Sequence, residues 1–387
     1  MAKSLTSRFI AAVRSVVGDD PVVGLHEPDI GEREKAFVNE CLESTFVSSV
    51  GPFVTRFENE IAAYTGSKHA IAVSNGTSAL QVALMLAGVR PGDEVLVPAL
   101  SFVATANAVI HAGATPFFVD SSAETLGLDV SAFGEVLRQL EKRDGGVVNP
   151  RTGARVSAVV PMHTFGHPVE IEAIVALSSQ HGITVVEDAA ESLGSFVGAR
   201  HTGTFGRLGA LSFNGNKIVT TGGGGMILTD DDDLGRRAKH LTTTAKLVHE
   251  WEFEHDEVAW NYRMPNLNAA LGVAQLSKLD RYLTDKRKLA ERYAAAFAGL
   301  DEISFLGEPS GTTSNYWLNA IRLESNDLKL RDELLRAAND DGLKCRPFWN
   351  LLSEQRMYRS HERGDLTTAK SLVASVICLP SSPRLAG

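Results

Sequence analysis

The sequence predicts an α/β protein in two parts: a large domain whose mostly parallel sheet of about seven strands lies between helices, and a smaller C-terminal α/β domain. Three observations predict it. Seven short apolar runs recur between residues 69 and 230. Helical patterns lie between several of them, and strand–helix alternation is the mark of a doubly wound sheet. A helical stretch over residues 267–300 is too long for the layer covering a sheet, and it leads into further strand and helix signals.

The chain opens with an amphipathic helix, in which Leu5, Phe9, Ala12, Val13 and Val16 share one side. Arg8 and Arg14 interrupt the apolar residues, so the segment is not a signal peptide. The strands follow: HAIAV (69–73), EVLVP (94–98), TPFFVD (115–120), RVSAVVP (155–161), ITVVED (183–188), GALSF (209–213) and GMILTD (225–230). Most are continuous apolar runs, as expected of strands covered on both faces. Residues 77–88 read as a buried helix and 169–182 as an amphipathic one. Residues 144–155 read as a polar loop, and the acidic run 230–233 as a solvated helix cap. The expected division is an N-terminal helical extension over 1–24, a large domain over 25–270, and a linking helix with the small domain over 271–387. NYWLNAIRLE and LKLRDELLRAANDDG supply strand and helix signals in that last part.

Composition narrows the function. The net charge is −9 with no basic cluster, which argues against a nucleic-acid partner. No stretch approaches the ~20 apolar residues of a membrane span. Cys41, Cys345 and Cys378 are far apart and odd in number, which fits reduced thiols and a cytoplasmic setting.

In open α/β sheets ligands bind beyond the carboxyl ends of the strands, so the residues after each apolar run matter most. After HAIAV, Gly76, Thr77 and Ser78 open a helix and offer N–H groups and hydroxyls to a phosphate; an ordinary capped Asn-Gly turn is the plainer use. After EVLVP, Phe102 can cover a planar ring or fill a core. His163 and His167 stand four apart, but Gly166 and Pro168 argue against a helix there, and no metal site is expected. His163 is either a ring or substrate contact or a turn residue. Asp188 ends a buried strand and needs a cation such as a pyridinium nitrogen, or else pairs with an arginine or accepts backbone N–H groups. Lys217 lies between a strand end and four glycines, with no local acidic partner; it is an amine nucleophile or a loop lysine. The glycines form neither GxGxxG nor GxxxxGK[ST], so they read as close backbone packing. Together these signals make a phosphate cradle, a ring-facing aromatic, a pyridinium partner and a Schiff-base lysine, which is what pyridoxal 5'-phosphate (PLP) requires of a protein.

In VSNGTSAL, VPALSFVATANAV, VVEDAAESLGS, LSFNGNKIVTTGGGG and NYRMPNLNAALG the chain resembles the DegT/DnrJ/EryC1/StrS family of sugar aminotransferases, from about Leu25 to the end. The resemblance implies the PLP-dependent transferase fold type I. It implies that Lys217 bonds the cofactor, Asp188 meets the ring nitrogen, Phe102 stacks on the ring, and Gly76, Thr77, Ser78 and Ser212 hold the phosphate. Asn261 would reach the partner subunit's cofactor in a homodimer with shared sites, and His163 and Arg263 would lie near cofactor or sugar. Thr243 and Lys246 are candidate sugar or nucleotide contacts. Glu191 would stand near the cofactor's 3-oxygen, where many members have Gln. VPMHTFGHP, KHLTTTAK and STFVSSVGPFV look like the branch that makes 4-amino-4,6-dideoxy-N-acetylhexosamine intermediates for legionaminic acid and bacillosamine. The implied reaction moves an amino group from L-glutamate to a nucleotide-linked keto-sugar, UDP favoured over GDP. Sugar dehydratases of the family replace the lysine, typically with histidine, so Lys217 speaks against that alternative. A non-catalytic PLP-binding regulator is a further alternative, and no DNA-binding module supports it.

Overall fold

The computed structural model describes residues 4–387. Three helices precede the first strand: α1 (Leu5–Val17), α2 (Glu32–Glu43) and α3 (Pro52–Thr65). The large domain then alternates β1 (His69–Val73), α4 (Gly76–Leu86), β2 (Glu94–Pro98), α5 (Val103–His111), β3 (Thr115–Val119) and α6 (Val130–Gln139). A hairpin of β4 (Glu141–Arg143) and β5 (Gly146–Val148) leads to β6 (Arg155–Val159), α7 (Ile171–His181) and β7 (Thr184–Asp188). The ribbon β8 (Phe196–Val197) and β9 (Arg200–His201) precedes β10 (Leu208–Ser212), β11 (Gly225–Thr229) and α8 (Asp232–Thr242).

The principal sheet has nine strands. Seven run in the order β1-β11-β10-β7-β6-β2-β3, and the β4–β5 hairpin adds antiparallel to β6. Only β11 opposes its neighbours along the seven-strand path. Six strands therefore end at one edge of the sheet, and β11 begins there. The hairpin differs from the expected loop over 144–155. Its strands are three residues each, and Glu141, Lys142 and Arg143 are all exposed, so no apolar run marks them.

Both faces of the sheet are buried, which is why the strands read as unbroken apolar runs. Ile71 and Val73 pack with α4 and α5, whereas Ala70 and Ala72 pack with α3 and α9 (Asn266–Leu276). Leu96, Phe117, Val119 and Val185 meet α6 and α7. The expected single helix over 267–300 is two. α9 stops at Leu276, and α10 (Leu279–Phe297) starts after Ser277 and Lys278. No proline or glycine marks the break. Tertiary packing sets it: Lys278 pairs with buried Glu34 of α2, while Gln275 donates to the same carboxylate at 2.7 Å.

Beyond α10 lie β12 (Ile303–Phe305), β13 (Thr312–Thr313), β14 (Asn319–Leu323), α11 (Leu328–Asp340), β15 (Arg346–Pro347), α12 (Thr367–Ser375) and β16 (Val376–Leu379). They form a four-stranded sheet β12-β14-β16-β15, while β13 joins the β8–β9 ribbon. The N-terminal helix belongs to this C-terminal core: Phe9, Val13 and Val16 cluster with Tyr293, Phe297, Leu334, Ile377 and Leu385. Arg292 of α10 donates to the carbonyls of both Val16 and Leu385. No helix among the described residues is long and apolar enough to cross a membrane.

Candidate functional site

The strand ends enclose a cavity of about 700 Å³, within the usual range for small-molecule sites. Its wall includes Gly76, Thr77, Phe102, Asp188, Glu191, Ser212 and Lys217 from the large domain, and Trp317, Arg346, Phe348 and Trp349 from the C-terminal domain.

One end is a cradle at the start of α4. Asn75 caps the helix, its Oδ1 accepting the Ser78 N–H at 2.8 Å. That leaves the Gly76 and Thr77 N–H groups, which bond nothing within the protein among the described residues, at the cavity. A Cβ on Gly76 would lie 2.8 Å from Ser212 Cβ, so glycine lets the Ser212 hydroxyl reach the helix terminus. The first turn carries no acidic residue. Free N–H groups, a hydroxyl and the positive end of a helix dipole suit a phosphate. Ser78 is not part of this surface. It is buried, its N–H is spent on the cap, and its hydroxyl donates to Asn75 O at 2.9 Å.

Behind the cradle, Gly225 opens β11. A Cβ there would stand 2.7 Å from the Gly76 nitrogen, so Gly225 must stay bare for the cradle to keep its place. Close packing thus accounts for Gly225 and Gly224, while a Cβ on Gly223 would meet open space.

Asp188 closes β7. Its Oδ2 accepts the Thr105 hydroxyl at 2.7 Å and its Oδ1 the Ala190 N–H at 3.2 Å; no arginine pairs with it among the described residues. Burial pushes its carboxyl up, against the pull of Thr105, the Ala190 N–H and the nearby Lys217 charge. A cation set beside this carboxylate from the cavity would relieve that burial.

Lys217 lies in the loop from β10 to β11. Its acidic partner is distant in sequence: Nζ donates to Glu191 Oε1 at 3.1 Å. Glu191 Oε2 accepts the Phe165 N–H at 2.9 Å. Burial raises the Glu191 carboxyl to about 6, although Lys217 and the Phe165 N–H pull it down. The Lys217 ammonium also sits 3.9 Å from the centre of the Trp317 ring. Phe102 is half exposed at the cavity, with its ring 6.2 Å from that of Trp349.

The other expected contacts stand apart from this cavity. His163 is fully buried; its Nδ1 accepts the Val169 N–H at 3.2 Å, so Nε2 carries the hydrogen and faces Glu187 Oε2 at 3.0 Å. Both ring nitrogens are committed within the protein, and His163 is not part of the cavity wall. Thr243 and Asn261 form a β-bridge outside the cavity, and Arg263 donates to Asn261 Oδ1 at 2.9 Å. Lys246 covers the Phe253 ring at 3.8 Å. None of these four lines the cavity within one chain. Sequence reading missed Thr105, Trp317, Arg346 and Trp349. Thr105 stood in a quoted stretch but carried no role until its hydroxyl met Asp188. The other three lie more than 95 residues beyond Lys217 and reach the site only by domain packing.

The comparisons agree with this geometry. Residues 28–387 match the DegT/DnrJ/EryC1/StrS aminotransferase family. A GDP-perosamine synthase of Vibrio cholerae is 34% identical, over 94% of this chain and 95% of that protein. The spore coat polysaccharide biosynthesis protein SpsC of Bacillus subtilis is 39% identical, over 70% of this chain and 68% of its own length. The crystal structure of the aminotransferase TlmJ from Streptoalloteichus hindustanus superposes with a TM-score of 0.83, at 32% identity and 93% coverage of both chains. The chain belongs to the DegT/DnrJ/EryC1/StrS aminotransferase family and is a PLP-dependent sugar aminotransferase.

Proposed function

We propose that this enzyme transfers the amino group of L-glutamate to the C4 keto group of a nucleotide-linked 4-keto-6-deoxy-N-acetylhexosamine, with Lys217 as the catalytic residue. One observation carries the reading. A single cavity holds an amine, a buried carboxylate at a strand end, and a helix-terminal cradle for phosphate. That donor set fits PLP. Gly76, Thr77 and Ser212 would take the phosphate, Asp188 the ring nitrogen, Phe102 a ring face, and Lys217 the aldehyde carbon. When bound, PLP supplies an aldehyde that condenses with amines and a protonated ring that draws electrons from the neighbouring carbon.

The chain's own groups do the rest. Asp188, held by Thr105, keeps the proton on the ring nitrogen. Lys217, once free, would take the proton from the α-carbon of glutamate and deliver it to the cofactor carbon on the far side of the amine nitrogen, as base and then acid. Glu191 lies 3.1 Å from the Lys217 amine and supports its charged form between transfers. The apolar wall of Phe165, Phe348 and Leu80 limits water around the reacting atoms. Water would release the donor's carbon skeleton as 2-oxoglutarate and leave the amino group in the site. The keto-sugar would then enter the same cavity and take that group by the reverse steps, losing its carbonyl oxygen as water, which gives ping-pong kinetics.

We assign a cytoplasmic homodimer with shared sites. Trp251, Phe253, Val248 and Val258 expose apolar surface on the segment that leads to Asn261. A second copy covering that segment would bring Asn261, Arg263, Thr243 and Lys246 toward its cavity. The three cysteines are buried and unpaired, in keeping with a reducing compartment.

The likeness of VPMHTFGHP, KHLTTTAK and STFVSSVGPFV to the legionaminic acid and bacillosamine branch supports the acetamido sugar on UDP. A GDP-linked sugar is the second reading, supported by the relatives named GDP-perosamine synthase. Mass spectrometry of purified enzyme with glutamate and a panel of UDP- and GDP-4-keto-6-deoxy sugars decides between them. An amine formed on the UDP-acetamido substrate is expected. Turnover of GDP sugars alone would replace the first reading with the second.

A further inference from the structure

Trp317 touches both Lys217 and the residue before it. The lysine ammonium lies 3.9 Å from the centre of the indole ring. The indole Nε1–H donates at 2.7 Å to the carbonyl of Asn216, the residue just before the lysine. One side chain from the C-terminal domain thus holds both the backbone and the tip of a loop lysine from the large domain.

Trp317 is itself held firmly and is almost fully buried. Its N–H donates to Asn315 Oδ1 at 2.8 Å. The Asn315 amide in turn donates to the carbonyls of Glu191 and Leu193, both at 2.9 Å. The Trp317 carbonyl accepts Lys286 Nζ at 3.0 Å. Lys286 is wholly buried on α10 and also donates to the carbonyls of Tyr316 at 3.1 Å and Ser381 at 2.7 Å. The indole therefore has little freedom to follow a moving lysine.

We propose that Trp317 is a positioning residue that seats the free Lys217 amine for bonding to the cofactor aldehyde, and receives it again each time that bond is exchanged. The proposal rests on the reading of Lys217 as the cofactor-bearing lysine. A lysine side chain turns about four bonds, and a loose one spends most of its time away from the attack geometry. An indole face attracts an ammonium through its ring quadrupole, more strongly where water is scarce. Glu191 accepts from the same nitrogen, so ring and carboxylate together fix where it rests. On capture the nitrogen gives up its extra proton to Glu191 or water. It then bonds the aldehyde carbon, and the carbonyl oxygen leaves as water.

The test separates holding the cofactor from bonding it. Full-length enzyme is stripped of cofactor and mixed rapidly with PLP. The absorbance change reports covalent capture, equilibrium dialysis reports total bound PLP, and borohydride trapping with peptide mass spectrometry locates the bond. Trp317→Leu is expected to slow capture about tenfold or more while total bound PLP changes only a few-fold. Trp317→Phe keeps a ring face but loses the N–H, and is expected to fall between native and Leu variant. It also carries the test should the Leu variant not fold, as judged by far-UV circular dichroism. Native-rate capture by the Leu variant, or by the Phe variant where only that one folds, overturns the proposal alone. Absence of a trapped adduct at Lys217 in the native enzyme overturns the reading of the lysine, and the proposal with it.

Discussion

At the scale of single residues, the site is a set of buried charges that need one another. Lys217→Ala leaves Glu191 and Asp188 without their cation and removes the proposed nucleophile. Its turnover with glutamate and keto-sugar should fall at least about 100-fold, measured as 2-oxoglutarate released; a fully active variant would end the assignment. Glu191 offers a different readout. Its carboxyl sits at about 6 in the folded protein, above its ordinary value of 4.5. The folded state therefore holds a proton there that the unfolded chain has released. By linkage, this favours folding below pH 4.5 and is lost as pH rises through 6. Glu191→Gln removes that dependence. In urea unfolding of the cofactor-free protein, the variant should gain about 2 kcal/mol relative to native between pH 4.5 and 7. A constant difference across that range would show that Glu191 is not held protonated by burial.

At the scale of elements, the legible parts were those with a local cause. Ile71 and Ala72 face opposite helix layers, so both had to be apolar, and a five-residue run announced the strand. The ends of those strands were equally plain, because Asp188 is the last residue of its strand and Gly76 and Lys217 follow theirs within five residues. The β4–β5 hairpin was not legible, since its exposed charged strands follow no burial pattern. The break between α9 and α10 was hidden because Glu34, some 240 residues upstream, organises it. Trp317 went unmarked for the same reason: its meaning lies in a loop one hundred residues earlier. Gly225 ties an element to the site. Gly225→Ala would drive a methyl into the Asn75–Gly76 peptide, backbone that cannot yield cheaply. We expect a loss of about 1–3 kcal/mol in stability and weaker PLP retention, read by thermal melting and by dialysis. An unchanged melting temperature with full retention would mean that the cradle is more pliant than drawn.

At the scale of the whole molecule, the proposed dimer makes a prediction that no single chain can satisfy. Trp251 is 70% exposed and Phe253 79%, on a segment closed at its base by the bridge between Thr243 and Asn261, two of the candidate substrate residues. If Asn261 serves the neighbouring site, Lys217→Ala and Asn261→Asp damage different parts of one composite site. Each variant alone should be weak. Unfolding and refolding them together should restore about a quarter of native activity, since half the dimers are mixed and each mixed dimer has one intact site. No recovery from the mixture would place Asn261 in its own chain's site or outside catalysis.

The union of both chain ends in one core has a bearing on synthesis. A ribosome delivers Phe9 and Val13 long before Leu385, yet these residues share a cluster. Most of the large sheet has its partners once residue 230 has emerged. The opening helix must wait, its apolar stripe unburied, until α10 with Leu289, Tyr293 and Phe297 has emerged about 280 residues later. A nascent chain halted near residue 300 should therefore bind chaperones at its amino end.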